Sequence, residues 1–169
     1  MPDQPVAASG RDEHYMRLAL EAARLAGQAG EVPVGAVVVI GDAVVGRGAN
    51  RTRRDGTVQA HAELIALAEA ERNSGDYRLE HAELFATLEP CLMCLGAIAQ
   101  ARVVRLVYGA PEPKFGALAS RFQLAGHPAL RKLQVTSGVL AEEAAALISG
   151  FFAARRNADQ GGPGDSAEE

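Results

Sequence analysis

Residues 83–108 read ELFATLEPCLMCLGAIAQARVVRLVY. They divide into an apolar run at Glu83–Leu88, a segment opening at Pro90-Cys91 and running to Gln100, and a second run at Arg102–Tyr108 with Val103, Val104, Leu106 and Val107 apolar. The β-branched and aromatic ends predict two short strands, and the Ala-, Leu- and Met-rich middle predicts a helix between them. Working outward, the same alternation recurs. Apolar positions Tyr15, Leu18, Ala19, Ala22, Leu25 and Ala26 predict a helix over Asp12–Ala29, closed by Gly27 and Gly30. Val34–Ile40, Gly41-Asp42 and Ala43–Gly46 form a hairpin pattern with a two-residue turn. Polar, basic Asn50–Thr57 is expected to be a loop, and His61–Asn73 a helix with Leu64, Ile65, Leu67 and Ala68 inward. Residues 109–131 are mostly loop with room for one short helix, Lys132–Thr136 is a candidate edge strand, and Leu140–Arg155 is the last helix. Five strands alternating with helices predict a three-layer α/β fold around a central sheet.

The 169 residues suit one domain, expected over 12–156, with a disordered lead at 1–11 and a disordered acidic tail at 157–169. Hydrophobic residues make up 48% of the chain, an ordinary globular share. The net charge of −4 equals the four acids of the tail, so the body is balanced and can still carry a local basic face. No apolar run is long enough to span a membrane and the N-terminus has no secretion pattern, so a cytoplasmic protein is expected. Two cysteines spaced Cys-x-x-Cys are too few for a disulfide framework, which leaves a metal site or a redox pair.

His61-Ala62-Glu63 and Pro90-Cys91-Leu92-Met93-Cys94 each open a predicted helix. Residues i and i+3 project from one helical face, and a helix N-terminus favours thiolate over thiol. Two thiolates and one imidazole fill three positions of a tetrahedral zinc, one ion per subunit, and leave the fourth open as catalytic sites do. Water at that position ionises near neutral pH. Glu63, two residues after His61, is then free to carry protons to the base and to the departing amine. Taken singly, the Cys-x-x-Cys could be a redox couple, and His61 a capping histidine with Glu63 a solvated first-turn acid. His14, His81 and His127 have no partner at ligand spacing and read as surface or packing residues.

The combination H-x-E with P-C-x-x-C is the signature of zinc-dependent nucleobase deaminases. Around it, VPVGAVVV, Ala49-Asn50, HAEL, TLEPCLMCLGAI, ARVVRLVYGA, PKFGALAS, His127-Pro128 and the helix ending FFAARR resemble the bacterial tRNA-specific adenosine deaminases over about Glu13 to Arg156. This resemblance implies a cytidine-deaminase-like α/β/α fold with a mixed five-stranded sheet and a homodimer. It implies hydrolysis of the wobble adenosine of a tRNA anticodon stem-loop to inosine. It makes Glu63 the catalytic acid–base, His61, Cys91 and Cys94 the zinc ligands, Asn50 a base contact and the Cys91 N–H a holder of the tetrahedral oxygen. It puts Glu112, Lys114 and Gly116 in the loop beside the target nucleotide. The family carries Asp where this chain has Glu112, and often Asn-His-Arg where it reads Ala129-Leu130-Arg131-Lys132.

An RNA substrate also needs basic and stacking groups around a splayed base. Arg51, Arg53, Arg54, Lys114, Arg121, Arg131, Lys132, Arg155 and Arg156 are available. Phe152 is a candidate stacking residue, since a helix buries only one of the neighbours Phe151 and Phe152 well. Two other readings share the core motif. One is a small-molecule deaminase of guanine or a cytosine derivative. The other is a non-catalytic zinc-stabilised RNA-binding module, against which the presence of Glu63 speaks.

Overall fold

A computed structural model describes residues 9–160. A five-stranded sheet has the order β2-β1-β3-β4-β5, formed by β1 (Gly35–Ile40), β2 (Ala43–Ala49), β3 (Ala82–Leu88), β4 (Arg105–Ala110) and β5 (Gln134–Ser137). β1 runs antiparallel to both β2 and β3, whereas β3, β4 and β5 are parallel, so the sheet is mixed. The helices are α1 (Gly10–Gln28), α2 (Thr52–Asp55), α3 (Ala62–Ser74), α4 (Leu92–Gln100) and α5 (Ala141–Gln160).

Strand alternation sorts the core into two layers. Val37 and Val39 of β1, Phe85 of β3 and Val107 of β4 meet Met16, Ala19 and Leu20 of α1 and Ala144 of α5. The intervening residues Ala36, Val38, Leu84, Ala86 and Leu106 meet α3 and α4 on the opposite face. The expected three-layer α/β/α arrangement is therefore present. The two-residue turn of the hairpin is as expected, with Ile40 paired to Ala43 and Gly41 at φ +61 in the left-handed conformation such a turn demands, but the second strand runs past Gly46 to Ala49, which pairs with Gly35.

Several boundaries differ from the sequence reading, each for a local reason. The strand expected from Arg102 starts at Arg105, because Arg102 sits in a turn at φ 60 and Val103 bonds back to the Ile98 carbonyl. The edge strand expected at Lys132–Thr136 is shifted to Gln134–Ser137. The expected loop Asn50–Thr57 contains the single turn α2, whose amides at Arg53 and Arg54 are capped by the buried Glu31 carboxylate at 3.1 and 2.7 Å. α5 continues to Gln160, so Asn157–Gln160 of the expected tail is helical, and Ser9, Gly10 and Arg11 of the expected lead form the N-cap and start of α1. The rest of both expected segments, 1–8 and 161–169, lies outside the described residues.

The inward face of α3 is Ala62, Glu63, Ala66, Leu67 and Ala70, and Leu64 and Ile65 are only half-buried. The reason lies on β2. A methyl group at Gly48 would sit 1.9 Å from the Ala62 carbonyl oxygen, and one at Gly46 would sit 2.1 Å from that of Ala66. Backbone approaches backbone here, and alanine is the side chain that fits at Ala62, Ala66 and Ala70.

At the end of the sheet remote from Cys91, Asp12 is buried in the first turn of α1. It completes a capping box with Ser9 and binds Arg105 through two oxygens at 2.7 and 2.8 Å. Arg105 also reaches Glu83 at 2.9 Å and Thr136 at 3.0 Å, which ties α1 to β3, β4 and β5. The Arg105 hydrogen bonds hold the Asp12 carboxyl below its ordinary 3.8. Asp12→Ala is expected to lower the unfolding free energy by about 3 kcal/mol at neutral pH, because it leaves a mostly buried guanidinium short of a partner. A carboxyl with a depressed folded value stabilises fully above its unfolded value and loses that contribution as pH falls through the folded one. The deficit of the variant, read by urea unfolding, should therefore shrink below pH ~4; an equal deficit at pH 3 and pH 7 would refute the pairing.

Candidate active site

Both ligand clusters sit where a helix begins at the carboxyl edge of a strand. His61 is the N-cap of α3 and Cys91 the N-cap of α4, each with extended backbone (φ −74 in both). Cys94 follows on the first turn of α4 and is fully buried, while Cys91 is half-buried. The two sulfurs stand 3.7 Å (Cys91) and 3.4 Å (Cys94) from His61 Nδ1. All three donor atoms lie within 4.8 Å of one another.

These separations fit a metal. Zinc–sulfur bonds of about 2.3 Å and a zinc–nitrogen bond of about 2.0 Å at tetrahedral angles set nitrogen and sulfur about 3.5 Å apart. The electrostatics agree. Cys91 is pulled down to about 4, first by a hydrogen bond from the Cys94 thiol and then, against burial, by His61. Cys94 is pushed up by that same bond and by burial. The pair thus holds one negative charge readily, and a second thiolate needs a cation. His61 is raised mainly by its hydrogen bond to Cys91.

Glu63 lies in the first turn of α3, 4% exposed, and burial raises its carboxyl above the ordinary value. It shares a cavity of about 430 Å³ with His61, Cys91, Asn50, Glu89 and Glu112. Asn50 ends the β2 edge of this cavity. Its amide nitrogen donates to the Val32 carbonyl at 3.3 Å, and its buried Oδ1 has no partner. An orphaned buried acceptor costs roughly 1–3 kcal/mol unless a ligand satisfies it.

Of the residues singled out in the sequence, Asn50, His61, Glu63, Cys91 and Glu112 line this cavity. Cys94 completes the metal cluster behind it. Lys114 is an exposed loop residue whose amide donates to Glu112 Oε1 at 2.8 Å. Gly116 is buried and pairs across a single bridge with Cys91. Phe152 and Arg155 are exposed on α5, outside the cavity lining; Phe152 stacks edge-to-face on Phe151 at 5.4 Å, and Arg155 covers the same Phe151 ring. His127 caps the 3-10 turn Pro128–Leu130 by accepting from the Ala129 amide, and His14 packs on Tyr15.

Three residues lining the cavity, Val58, Phe115 and Glu89, went unread in the sequence, as did Glu31, whose neighbour Val32 lines it. Val58 and Phe115 are large, apolar and exposed at its rim. Glu31 and Glu89 are buried carboxylates that bind loop amides. Burial alone would raise Glu89, yet hydrogen bonds from the Ala119 amide, the Ser120 hydroxyl and amide, and the Glu112 amide bring it below the ordinary range. A buried acid placed between an apolar strand end and Pro-Cys, with no cation near it in sequence, was the available signal.

A zinc-binding cluster with a buried acid at the cavity floor defines a class, the zinc-dependent deaminases. Residues 9–110 match the cytidine and deoxycytidylate deaminase zinc-binding region, and the chain belongs to that family. Within the family, the chain is 48% identical over 148 residues to the tRNA-specific adenosine deaminase of Haemophilus influenzae, covering 86% of this chain and 85% of that one. A solved tRNA:A34 deaminase that performs A-to-I editing at the wobble position of transfer RNA shares 44% identity, with TM-score 0.75 over 79% of this chain and 98% of that one. The guanine deaminase of Nitrosomonas europaea shares 29%, with TM-score 0.76 over 89% of each chain. The resemblance to bacterial tRNA-specific adenosine deaminases is borne out, and His61, Cys91 and Cys94 are the residues positioned to hold the family's zinc.

Elemental analysis should find about one zinc per chain in the native protein and a small fraction of that in Cys94→Ala, which keeps two of three protein ligands. Full zinc content in the variant would mean that the ion is held elsewhere.

Proposed function

We propose that this protein hydrolyses the wobble adenosine of a tRNA anticodon to inosine, with Glu63 as the proton-transferring group. The observation that carries the reading is a single cavity holding the His61–Cys91–Cys94 cluster, the buried Glu63 carboxylate and the unpaired Asn50 Oδ1. Zinc, when bound, supplies a water whose pKa is lowered to near 7. Glu63 takes the proton of the attacking water and delivers it to purine N1. It then takes the proton of the new C6 hydroxyl and passes it to the N6 amine, which leaves as ammonia while the C6 carbonyl forms; an unprotonated amine is a poor leaving group. Burial raises its carboxyl, which makes the carboxylate a stronger base towards the proton of the water. Asn50 Oδ1 accepts an N–H of the base and orients it, and the Cys91 N–H at the start of α4 donates to the developing oxyanion.

The choice of RNA follows the 48% and 44% identical relatives, both of which act on tRNA by name. Glu112 in the cavity wall and the exposed Lys114 meet nucleotides beside the target. Exposed Phe152 and Arg155 offer an outlying stacking and phosphate contact. Gly116, lacking a side chain, contributes by letting the loop lie against Glu89. A second reading, deamination of free guanine, is supported by the equally close backbone of the guanine deaminase at lower identity. A cytoplasmic site of action goes with a tRNA substrate, and among the described residues no helix is long and apolar enough to cross a membrane.

The protein also acts as a homodimer in this reading. α4 carries no charge, and Leu92 and Met93 stand 45% and 38% exposed on its outer side, next to Val58 at 74%. A helix apolar on both sides is a buried helix, and a second copy of this chain covers it. Sedimentation should give a dimer for the native protein and a monomer for Leu92→Glu; a native monomer at micromolar concentration ends this part of the reading.

An anticodon stem-loop bearing a wobble adenosine, incubated with zinc-loaded protein and sequenced, should acquire inosine there. Glu63→Ala should keep its zinc and lose about 10²–10⁴ in kcat. Ammonia release from free guanine with an untouched stem-loop would select the second reading.

A further inference from the structure

We propose that Glu89 is a positioning residue for the substrate, acting through the 112–120 loop that it holds at the mouth of the cavity; this rests on the tRNA reading above. Glu89 directly follows the strand β3, two residues before Cys91, with 1% of its surface exposed. Its Oε1 accepts the amides of Leu118, Ala119 and Ser120 at 3.0, 2.8 and 3.0 Å. Its Oε2 accepts the Glu112 amide at 3.1 Å and the Ser120 hydroxyl. Five donors occupy both oxygens, so the carboxylate has no capacity left for a reacting group and is not a second proton shuttle.

What it controls is the loop. The amides that converge on it are 23 to 31 residues away in sequence. They belong to a segment with little regular structure, whose shape the carboxylate therefore sets. Gly116 allows the contact: a methyl group there would lie 2.5 Å from Glu89 Oε2 and 2.5 Å from the Glu112 carbonyl oxygen. The loop so held presents Glu112 and Phe115 to the cavity, and Phe115 stands 64% exposed at the rim. An exposed aromatic ring beside a cavity that takes a splayed base is a stacking platform for a neighbouring nucleotide. Glu89 thus links the strand that leads into the metal cluster to the surface that meets the flanking RNA.

Glu89→Gln tests this. Its amide NH₂ can replace only one oxygen's position and meets the Glu112 amide donor to donor, so half of the anchor is lost while side-chain volume is kept. In zinc-loaded Glu89→Gln, KM for the stem-loop should rise about tenfold with kcat within about threefold, the pattern of lost binding away from the reacting bond. Phe115→Ala should show the same split, and Ser120→Ala, which removes one donor, a smaller one. Hydrogen–deuterium exchange should be faster over 112–120 in Glu89→Gln, with zinc content unchanged. An unchanged KM, or a kcat loss in proportion to lost zinc, would overturn the proposal. If the native enzyme spares the stem-loop altogether, the tRNA reading falls by itself. Exchange over 112–120 then judges the anchor separately, and protection equal to the native protein's refutes it.

Discussion

The close approach of α3 to β2 is the constraint on which the site depends. With hydrogen in place of a side chain at Gly46 and Gly48, the helix backbone settles directly on the strand. His61 is the N-cap of that helix and Glu63 lies in its first turn, so a displacement of α3 by one methyl group would carry both away from Cys91 and Cys94. The sulfurs belong to another helix, seated on the same face of the sheet through Leu95 and Ile98. A metal site assembled from two rigid elements has only the tolerance of their packing, and interiors packed at crystal-like density have little.

A second layer of order surrounds this centre, built on buried acids. Glu31 caps the single turn α2 beneath Arg53 and Arg54, and Glu89 gathers the 112–120 loop. Each takes amides that no helix or strand would satisfy, which is how an irregular segment can be held without a core of its own. Glu89 lines the cavity and holds the loop that follows β4, whereas Glu31, next in sequence to the cavity residue Val32, holds the turn that follows β2. Rigid floor and anchored rim have different origins, the first in backbone-to-backbone packing and the second in charge-assisted hydrogen bonds.

This division also explains what could be read from the sequence. His61, Glu63, Cys91 and Cys94 were legible because zinc and proton transfer each demand particular residue types, and a helix start imposes their spacing. The two-layer core was legible from strand alternation. The buried face of α3 was not, since a pattern that weights Leu64 and Ile65 over Ala66 and Ala70 assumes a flat sheet, and Gly46 and Gly48 make a groove instead. The start of β4 was missed because Arg102 turns the chain within an apolar run. Glu31 and Glu89 were silent because their partners are over twenty residues distant. Asn50 was named through the family resemblance, whereas its unpaired Oδ1 becomes visible only once every neighbour is placed.

The catalytic floor itself does not choose between a free base and a nucleotide within a polymer. The tRNA-editing and guanine-acting relatives share the scaffold to the same degree, so discrimination must reside in side chains around the mouth. A small purine is held best by walls that enclose it and exclude water. Here the rim carries Val58 and Phe115, both mostly exposed, and an exposed apolar group gains nothing until something covers it. A nucleotide on either side of a splayed base would do so, stacking on Phe115 while its phosphates lie near Lys114. The cost of splaying the base is then met by contacts that a free purine lacks. The shape of the rim, and so the Glu89 carboxylate that holds it, is where the proposed preference for RNA over free base resides.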